Sequence, residues 1–294
     1  MTVSMAGFTL NDAVTKFVVD DMNIGQLMFV RGVFATILMA LFAWSQGGLG
    51  SLRDLGHPVI AARTACEAAA TVCFISALSQ LPLATVSAVL QALPLAVTMG
   101  AALFFAEPVG WRRWGAIIVG FVGVLVILRP GFEGFNAYAL LALGAVFFSA
   151  IRDLLTRRVP NHIASTAVSL ATAVTVMVTG GVLVMPLGGW SPMTTGETEL
   201  LVLAAVLLLF GYQFIIMAMR VGEISAVAPF RYTALLWAIT LGIVLFGDYP
   251  DTVTIVGSAI VVASGLYTLY REQIRSRQRP AAASTSPSMQ PDGL

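Results

Sequence analysis

Charged side chains are rare in this chain, and several of them stand inside long apolar stretches. The segment FTLNDAVTKFVVDD holds Asp12 and Lys16, which are spaced i,i+4 with the acid first, the better order for an ion pair on a helix. The segment FSAIRDLLTRRVP repeats this spacing with Asp153 and Arg157. Such a pair is either a structural pair that reaches the membrane interface, or a pair that faces a translocation path and gates it. The residues alone leave both interpretations open.

Other charged residues extend this group. Arg63 and Glu67 stand in the third apolar stretch as a similar pair in reversed order, while Arg31 and Arg152 lie within about two turns of a predicted helix end. A carboxylate at this depth could also carry protons during transport. The residues that we predict for gating or coupling are Asp12, Lys16, Glu67, Arg152 and Asp153.

The segment APFRY places a cation deeper in a predicted helix. Arg231 lies eight residues after Glu223, which corresponds to about 12 Å along a helix. It follows Pro229, which removes one helical hydrogen bond and kinks the helix. One interpretation is a buried ion pair between Arg231 and either Glu67 or Asp12. The other is contact with a substrate carboxylate or another polar group of a substrate.

The corresponding helix of the first half reads VLQALP, in which Gln91 matches Tyr232 and Pro94 supplies a second kink. Two kinked helices that meet near the membrane centre are where a transporter site is expected. The segment LFGYQF adds an aromatic ring and an amide. The predicted substrate-binding residues are Arg231, Tyr232, Gln91, Tyr212, Gln213 and Phe74, and the predicted helix kinks are Pro94 and Pro229.

Composition indicates what positions these side chains. The chain has 294 residues, of which 58% are hydrophobic and 11% charged, and its mean hydropathy is +0.88. Soluble domains carry about twice this charged fraction. Apolar runs long enough to span a bilayer occur near residues 3–19, 25–45, 58–79, 83–105, 112–129, 137–157, 163–185, 199–219, 223–246 and 252–270. The predicted fold class is an all-α integral membrane protein with ten transmembrane helices. The first run has neither a basic n-region nor a cleavage site, so no removable signal peptide is expected.

Basic residues concentrate in the loops after even-numbered helices and after the last helix: Arg53, Arg112, Arg113, Arg157, Arg158, Arg220, Arg271, Arg275, Arg277 and Arg279. The loops after odd-numbered helices hold Arg129 among acidic residues. Because basic loops stay in the cytoplasm, both termini are predicted to be cytoplasmic, in a bacterial inner membrane. The polar tail 271–294 is predicted to be disordered.

An internal repeat appears at an offset of 141 residues. Four polar positions coincide at this offset, namely Asp12 with Asp153, Thr15 with Thr156, Lys16 with Arg157 and Glu107 with Asp248. The predicted domains are a first repeat at 1–129, a linker at 130–136 and a second repeat at 137–270. Since five helices are an odd number, the second repeat enters the membrane from the opposite side, which is an inverted repeat.

Other chemistry is poorly supported. His57 and His162 stand in loops without partners at metal-ligand spacing, and no phosphate-binding glycine loop occurs, so no metal, cofactor or nucleic-acid partner is predicted. A membrane enzyme would need a nucleophile or an acid–base pair at membrane depth, and a channel would need a filter-like ring. The motif Ala116-xxx-Gly120 indicates helix packing or a dimer surface, so the chain is predicted to be a monomer or a weak homodimer.

Three segments carry a resemblance to a known family: NDAVTKFVVDDMNIGQLMFVRG, LFFAEPVGWRRWGAIIVGFVGVLVILRPG and AVAPFRYTALLWAITLGIVLFGDYPDTVTIVGSAIVVASG. They resemble the EamA-type branch of the drug/metabolite transporter superfamily over residues 3–270, most specifically at Glu107 and Asp248 after the fourth and ninth helices. The resemblance implies ten helices in two inverted halves around a central cavity. The family's first helix is usually preceded by several more residues, a point at which this chain departs from the pattern.

The predicted function is secondary transport of a small metabolite by alternating access. The resemblance implies export of amino acids, including aromatic ones, with uptake of a larger solute such as S-adenosylmethionine or riboflavin as the alternative. A polytopic membrane enzyme is the alternative of another class. The expected partners are a small-molecule substrate and the lipid bilayer. Proton coupling through Asp12 or Glu67 and uniport are both open.

Overall fold

A computed structural model of the chain describes residues 1–45, 56–129, 137–160, 162–221 and 227–277. Across these ranges the regular secondary structure is helical, and they contain no β-strand. The predicted all-α membrane class is therefore confirmed. The linker at 130–136, Arg53 and the last part of the tail lie outside the described residues.

The helices follow the predicted apolar runs closely. In chain order they are α1 (Thr2–Val18), α2 (Ile24–Ser45), α3 (Pro58–Gln80), α4 (Leu83–Phe104), α5 (Trp111–Leu128), α6 (Tyr138–Thr156), α7 (Ser165–Val184), α8 (Thr195–Val221), α9 (Ala228–Phe246) and α10 (Thr252–Arg277). In the described part of the chain, the nine helices from α2 to α10 are long and apolar enough to cross a membrane. Helix α1 has 17 residues. Residues 271–277, predicted as the start of a disordered tail, instead continue α10.

The main helix contacts are related by one exchange. Helix α2 packs along α7, α5 along α10, and α4 against α9, while α1 packs on α8 as α3 packs on α6. If each helix of the first five is exchanged with the helix five positions later in the chain, the same set of helix pairs results. Two five-helix repeats would produce this pattern.

The turns after odd-numbered helices lie at one end of the bundle and those after even-numbered helices at the other, and polar contacts connect the segments at each end. At the end that we call the odd-turn end, the Gln26 amide nitrogen donates to the Ser191 carbonyl oxygen at 2.8 Å, and Arg129 pairs with Asp251. At the opposite, terminal end, Arg113 pairs with Glu272 at 3.3 Å. The antiparallel helices α5 and α10 are thus tied together at both ends.

Small residues let the central helices approach closely. A Cβ on Gly25 would stand 2.6 Å from backbone atoms of Leu183 and Val184, and one on Gly180 would stand 2.5 Å from the Phe29 nitrogen. These glycines bring α2 and α7 nearly into backbone contact. A Cβ on Gly120 would stand 2.2 Å from a methyl group of Leu95, so this face of α5 packs inside the chain.

Helices α4 and α9 are both interrupted. The first part of α4 ends at Leu90, and a turn at Gln91–Ala92 precedes the second part, in which Pro94 is among the first residues. Helix α9 opens with a 3-10 turn at Ala228–Tyr232 that contains Pro229, because proline cannot donate the helical hydrogen bond. It ends in a π-helical turn at Gly242–Phe246. Broken helices expose backbone polar groups where a cavity can accept them.

Candidate functional site

A cavity of about 240 Å³ lies where α1, α4, α6 and α9 meet, beside the breaks in α4 and α9. We call it the first chamber. Its polar lining consists of Thr9, Asp12, Ser87, Gln91, Ser149, Arg152 and Arg231. Phe8, Leu90 and Leu93 form part of its apolar wall. Two guanidinium groups and one carboxylate therefore face the same space.

A second cavity of about 130 Å³ lies between α2, α3, α7 and α8, and we call it the second chamber. Its polar lining consists of Arg31, Arg63, Glu67, Thr71, Ser169, Thr172 and Tyr212. This chamber also holds two guanidinium groups and one carboxylate. Each chamber is built from two helices of the first five and the two helices that follow them five positions later in the chain.

Two contacts separate the chambers. Nη1 of Arg152, which lines the first chamber, donates to both carboxylate oxygens of Glu67, which lines the second, at 2.9 and 3.0 Å. The rings of Phe8 and Tyr212 stand edge to face with centroids 5.2 Å apart, again one from each chamber. We call these two pairs the partition.

The opposite charges of Asp12 and Arg31 attract each other across the same region, but the two side chains do not form a salt bridge in the described structure. The Asp12 carboxylate accepts a hydrogen bond from Asn11 Nδ2 at 3.0 Å. Arg31 donates to Thr15 Oγ1 at 3.2 Å. Asp12 thus retains acceptor capacity toward the first chamber.

The predicted ion pair between Asp12 and Lys16 is not formed. Lys16 Nζ instead donates to the carbonyl oxygens of Leu78 and Leu81 at 3.1 and 2.8 Å, and it stands 5.6 Å from the ring centroid of Phe246. A cation at a helix C-terminus satisfies carbonyls that have no helical donor. Lys16 therefore caps the C-terminus of α3, which lies at the odd-turn end.

The two other predicted pairs within one helix are also absent. Arg157 pairs with Glu107 at 2.9 Å, and Asp153 accepts from Arg152 at 2.8 Å. Arg63 donates to Thr156 Oγ1 and Thr172 Oγ1, and its expected partner Glu67 is held by Arg152. In each case one member of the predicted pair instead contacts a residue distant in the chain: the carbonyl end of α3 for Lys16, the loop residue Glu107 for Arg157, and Arg152 of α6 for Glu67.

The structure brings only some of the predicted substrate-binding residues together. Arg231 and Gln91 both line the first chamber, and Arg231 forms no ion pair with a described residue, so neither Glu67 nor Asp12 neutralises it. Tyr212 lines the second chamber.

The remaining three predicted contacts lie elsewhere. Tyr232 lines an apolar groove between α9 and α10, and its hydroxyl is buried beside Gly265 without a hydrogen-bond partner in the described structure. Phe74 packs against two apolar clusters. Gln213 is half-buried on α8 and is absent from the linings of both chambers.

Arg31 and Arg63 were not predicted as site residues, yet both line the second chamber. The available signal was the one that singled out Asp12, a charge inside an apolar run. Ser87 and Ser149 of the first chamber are 6% and 8% exposed and carry no such signal, because serine is common in membrane helices. Within the described ranges no group of three or more His, Cys, Asp or Glu residues could hold a metal ion.

Comparison with known proteins identifies the family to which this architecture belongs. The EamA-like transporter family matches the chain twice, at residues 1–129 and 136–270. A riboflavin transporter of Vibrio cholerae is 32% identical over 193 residues, which is 65% of this chain and 64% of that protein. An S-adenosylmethionine uptake transporter of Rickettsia prowazekii is 24% identical over 92% of this chain and 91% of its own length.

Two further similarities extend over most of the chain. A pseudopaline exporter of Pseudomonas aeruginosa is 26% identical over 87% of this chain and 90% of its own length. A solved crystal structure superposes with a TM-score of 0.61 over 95% of this chain and 99% of the other, at 16% identity, which supports the fold. The chain is a multi-pass membrane protein that belongs to the EamA-like transporter family.

Proposed function

We propose that the chain moves a small metabolite across the membrane as a secondary transporter by alternating access. The observation that carries this proposal is the pair of charged chambers divided by the Arg152–Glu67 and Phe8–Tyr212 contacts. Charged side chains at membrane depth mark substrate or ion paths. A partition made of one ion pair and one ring contact can open without unfolding any helix.

We propose two inverted repeats, 1–129 and 137–270, joined by the linker 130–136, as the source of the alternation. Lys16 stands against Phe246 at the odd-turn end, and Arg158 stands 4.8 Å from the ring centroid of Phe105 at the terminal end. Phe105 and Phe246 are 141 residues apart, the offset of the repeat. During alternating access, the Lys16–Phe246 contact would close the odd-turn end and the Arg158–Phe105 contact would close the terminal end, one after the other.

The proposed substrate is an amino acid or a related zwitterion, aromatic ones included, and the proposed direction is export. In the first chamber Arg231 would bind an anionic group, while Asp12 and Gln91 would accept hydrogen bonds from an amine. Uptake of a larger solute is the alternative, favoured by the names of the Rickettsia and Vibrio relatives. The names do not agree on direction, since the Pseudomonas relative is an exporter.

We propose Asp12 as the group through which protons would couple to transport, with Glu67 as the second candidate and uniport as the alternative. The one-sided distribution of arginine supports a bacterial inner membrane with both termini in the cytoplasm. The known relatives are transporters rather than enzymes. Gly120, part of the motif that could have formed a dimer surface, packs within the chain, which favours a monomer over a homodimer.

Liposomes that contain the purified full chain test the proposal. They would be challenged with labelled amino acids, S-adenosylmethionine and riboflavin, with and without a pH gradient. We expect saturable flux of at least one compound, which Arg231→Ala lowers by at least tenfold while the protein still folds. Arg112→Gln, at an exposed surface arginine, is the matched control. Absence of flux for the whole panel would contradict the substrate range, and unchanged flux in Arg231→Ala would remove Arg231 from the site.

A further inference from the structure

We propose that the second chamber is a carboxylate subsite, in which Arg31 and Arg63 bind the carboxylate of the transported metabolite. This inference rests on the proposed function and names a substrate class for it, metabolites with a free carboxylate group. It adds a second anion-binding position to that of Arg231, formed by two arginines that line a separate cavity, so the carboxylate would occupy the two positions at different stages of transport.

Arg63 has hydrogen-bond partners but no counter-ion in the described structure. Its Nε donates to Thr156 Oγ1 at 2.9 Å, and its Nη1 donates to Thr172 Oγ1 at 2.6 Å. Both partners are neutral hydroxyl groups. They fix the direction of the guanidinium group, and its remaining N–H groups stay available for an anion.

Arg31 is in a similar position. It donates to Thr15 Oγ1 at 3.2 Å and lines the same chamber as Arg63. The carboxylate in the described lining of that chamber, Glu67, has both oxygens bound by Arg152. Asp12 attracts Arg31 from the first chamber without forming a salt bridge with it.

The charges of the two chambers do not balance. Four guanidinium groups, from Arg31, Arg63, Arg152 and Arg231, line the chambers together with the carboxylates of Asp12 and Glu67. Asp153, which pairs with Arg152, adds a third carboxylate and still leaves one positive charge in excess. Arg31, Arg63 and Arg231 are half-buried. A charge partly withdrawn from solvent without a counter-ion is unfavourable, so this arrangement is suited to receive an anion that it does not itself contain.

The dimensions of the chamber favour a small anionic group. The cavity is about 130 Å³, and hydroxyl groups of Ser169 and Tyr212 lie in its wall beside the two arginines. A planar carboxylate matches the fork of guanidinium donors. An α-amino acid or a related zwitterion carries such a group.

Fluoroacetate and fluoroacetamide form a matched pair that tests the subsite without knowledge of the substrate. The two molecules have nearly the same size, and only fluoroacetate carries a carboxylate. The full chain in lipid nanodiscs would be titrated with each, and binding would be followed by broadening of the ¹⁹F resonance. Empty nanodiscs give the background.

We expect the ¹⁹F resonance of fluoroacetate to broaden with concentration and that of fluoroacetamide not to broaden. In Arg63→Gln we expect the affinity for fluoroacetate to fall about tenfold. Arg63→Lys should restore part of the binding, because it keeps the charge. Arg112→Gln should bind as the wild type does. Equal broadening of the two probes, no broadening of fluoroacetate by the wild type, or unchanged binding in Arg63→Gln would overturn the proposal.

The two proposals fail separately. If fluoroacetate binds through Arg63 but no compound of the liposome panel is transported, the anion-binding subsite stands and the proposed substrate range fails. If the panel identifies a substrate and fluoroacetate neither binds nor competes with it, the transporter function stands and the carboxylate subsite is wrong.

Discussion

Arg152 and Glu67 are joined by hydrogen bonds of 2.9 and 3.0 Å, although the two side chains line different chambers. Their side chains are 19% and 14% exposed, so the pair is largely removed from solvent. Arg152 also holds Asp153. The pair therefore ties α3 to α6 through residues of the two chambers, and we expect its opening to connect them.

Removing one partner of this pair should therefore lower both stability and transport. We expect Arg152→Gln to cost about 3–5 kcal/mol, because it leaves the largely buried Glu67 carboxylate without a partner, and Glu67→Gln to cost less, because Arg152 keeps Asp153 as its partner. Replacing both residues together should cost less than the sum of the two changes. Thermal unfolding of the purified protein in nanodiscs, with flux in liposomes, measures both effects.

The Arg157–Glu107 pair is a matched control for this cycle. Its 2.9 Å distance is the same, but its two side chains are 48% and 49% exposed. Because solvent screens it, we expect Arg157→Gln to change the free energy of unfolding by about 1 kcal/mol or less. Equal costs at the two pairs would show that the Arg152–Glu67 contact does not stabilise the partition.

Tyr232 should tolerate loss of its hydroxyl group. The hydroxyl is buried without a hydrogen-bond partner in the described structure and faces Gly265 on α10, away from the first chamber. We expect Tyr232→Phe to leave flux unchanged and to stabilise the protein by about 1 kcal/mol, since an unsatisfied polar group is removed. Gly265→Ala should destabilise it, because a Cβ there would stand 1.7 Å from that oxygen. A large loss of flux in Tyr232→Phe would instead support a substrate contact.

The helices were largely predictable from sequence, whereas the partners of the charged residues were not. Apolar runs located α3 and α6 closely, because a membrane-spanning helix needs a long uninterrupted apolar run. The i,i+4 rule paired Asp12 with Lys16, since a sequence shows only neighbours on the same helix. The actual partner of Lys16, the carbonyl end of α3, lies more than 60 residues away in the chain.

The candidate site was predictable only in part for the same reason. Arg231 and Gln91 stood beside proline kinks, which marked them in sequence, and both line the first chamber. In sequence, Arg31 stood near a predicted helix end from which it could reach the interface, and Arg63 was paired with Glu67 on the same helix. Their meeting in one cavity depends on the approach of α2 to α7 through Gly32 and Gly180, which no local pattern reveals.

Lys16 and Arg158 should close opposite ends of the bundle. In a background without Cys66 and Cys73, Ser87→Cys would place a single thiol in the first chamber. We expect Lys16→Met to speed labelling of this thiol by a membrane-impermeant reagent added on the odd-turn side. Arg158→Gln should speed labelling from the terminal side.

This labelling experiment contains its own control, because each variant is measured from both sides. The physical reason for the asymmetry is that Lys16 holds Leu78, Leu81 and Phe246 together at one end, while Arg158 stacks on Phe105 at the other. Equal acceleration from both sides by either variant would indicate general loosening of the bundle rather than a closure at one end.

Asp12 should determine whether transport responds to a pH gradient. It lines the first chamber, accepts one described hydrogen bond, from Asn11, and is attracted by Arg31 without a salt bridge, so a proton or an amine can reach its carboxylate. We expect a pH gradient to change flux in the wild type, and Asp12→Asn to abolish that response while substrate exchange without a gradient persists.

Loss of the response in Glu67→Gln but not in Asp12→Asn would move the coupling to Glu67. A response retained in both variants would rule out both carboxylates as the coupling group, and no response in the wild type would rule out proton coupling. Arg112→Gln, measured in parallel, should respond as the wild type does, because its side chain is exposed at the start of α5.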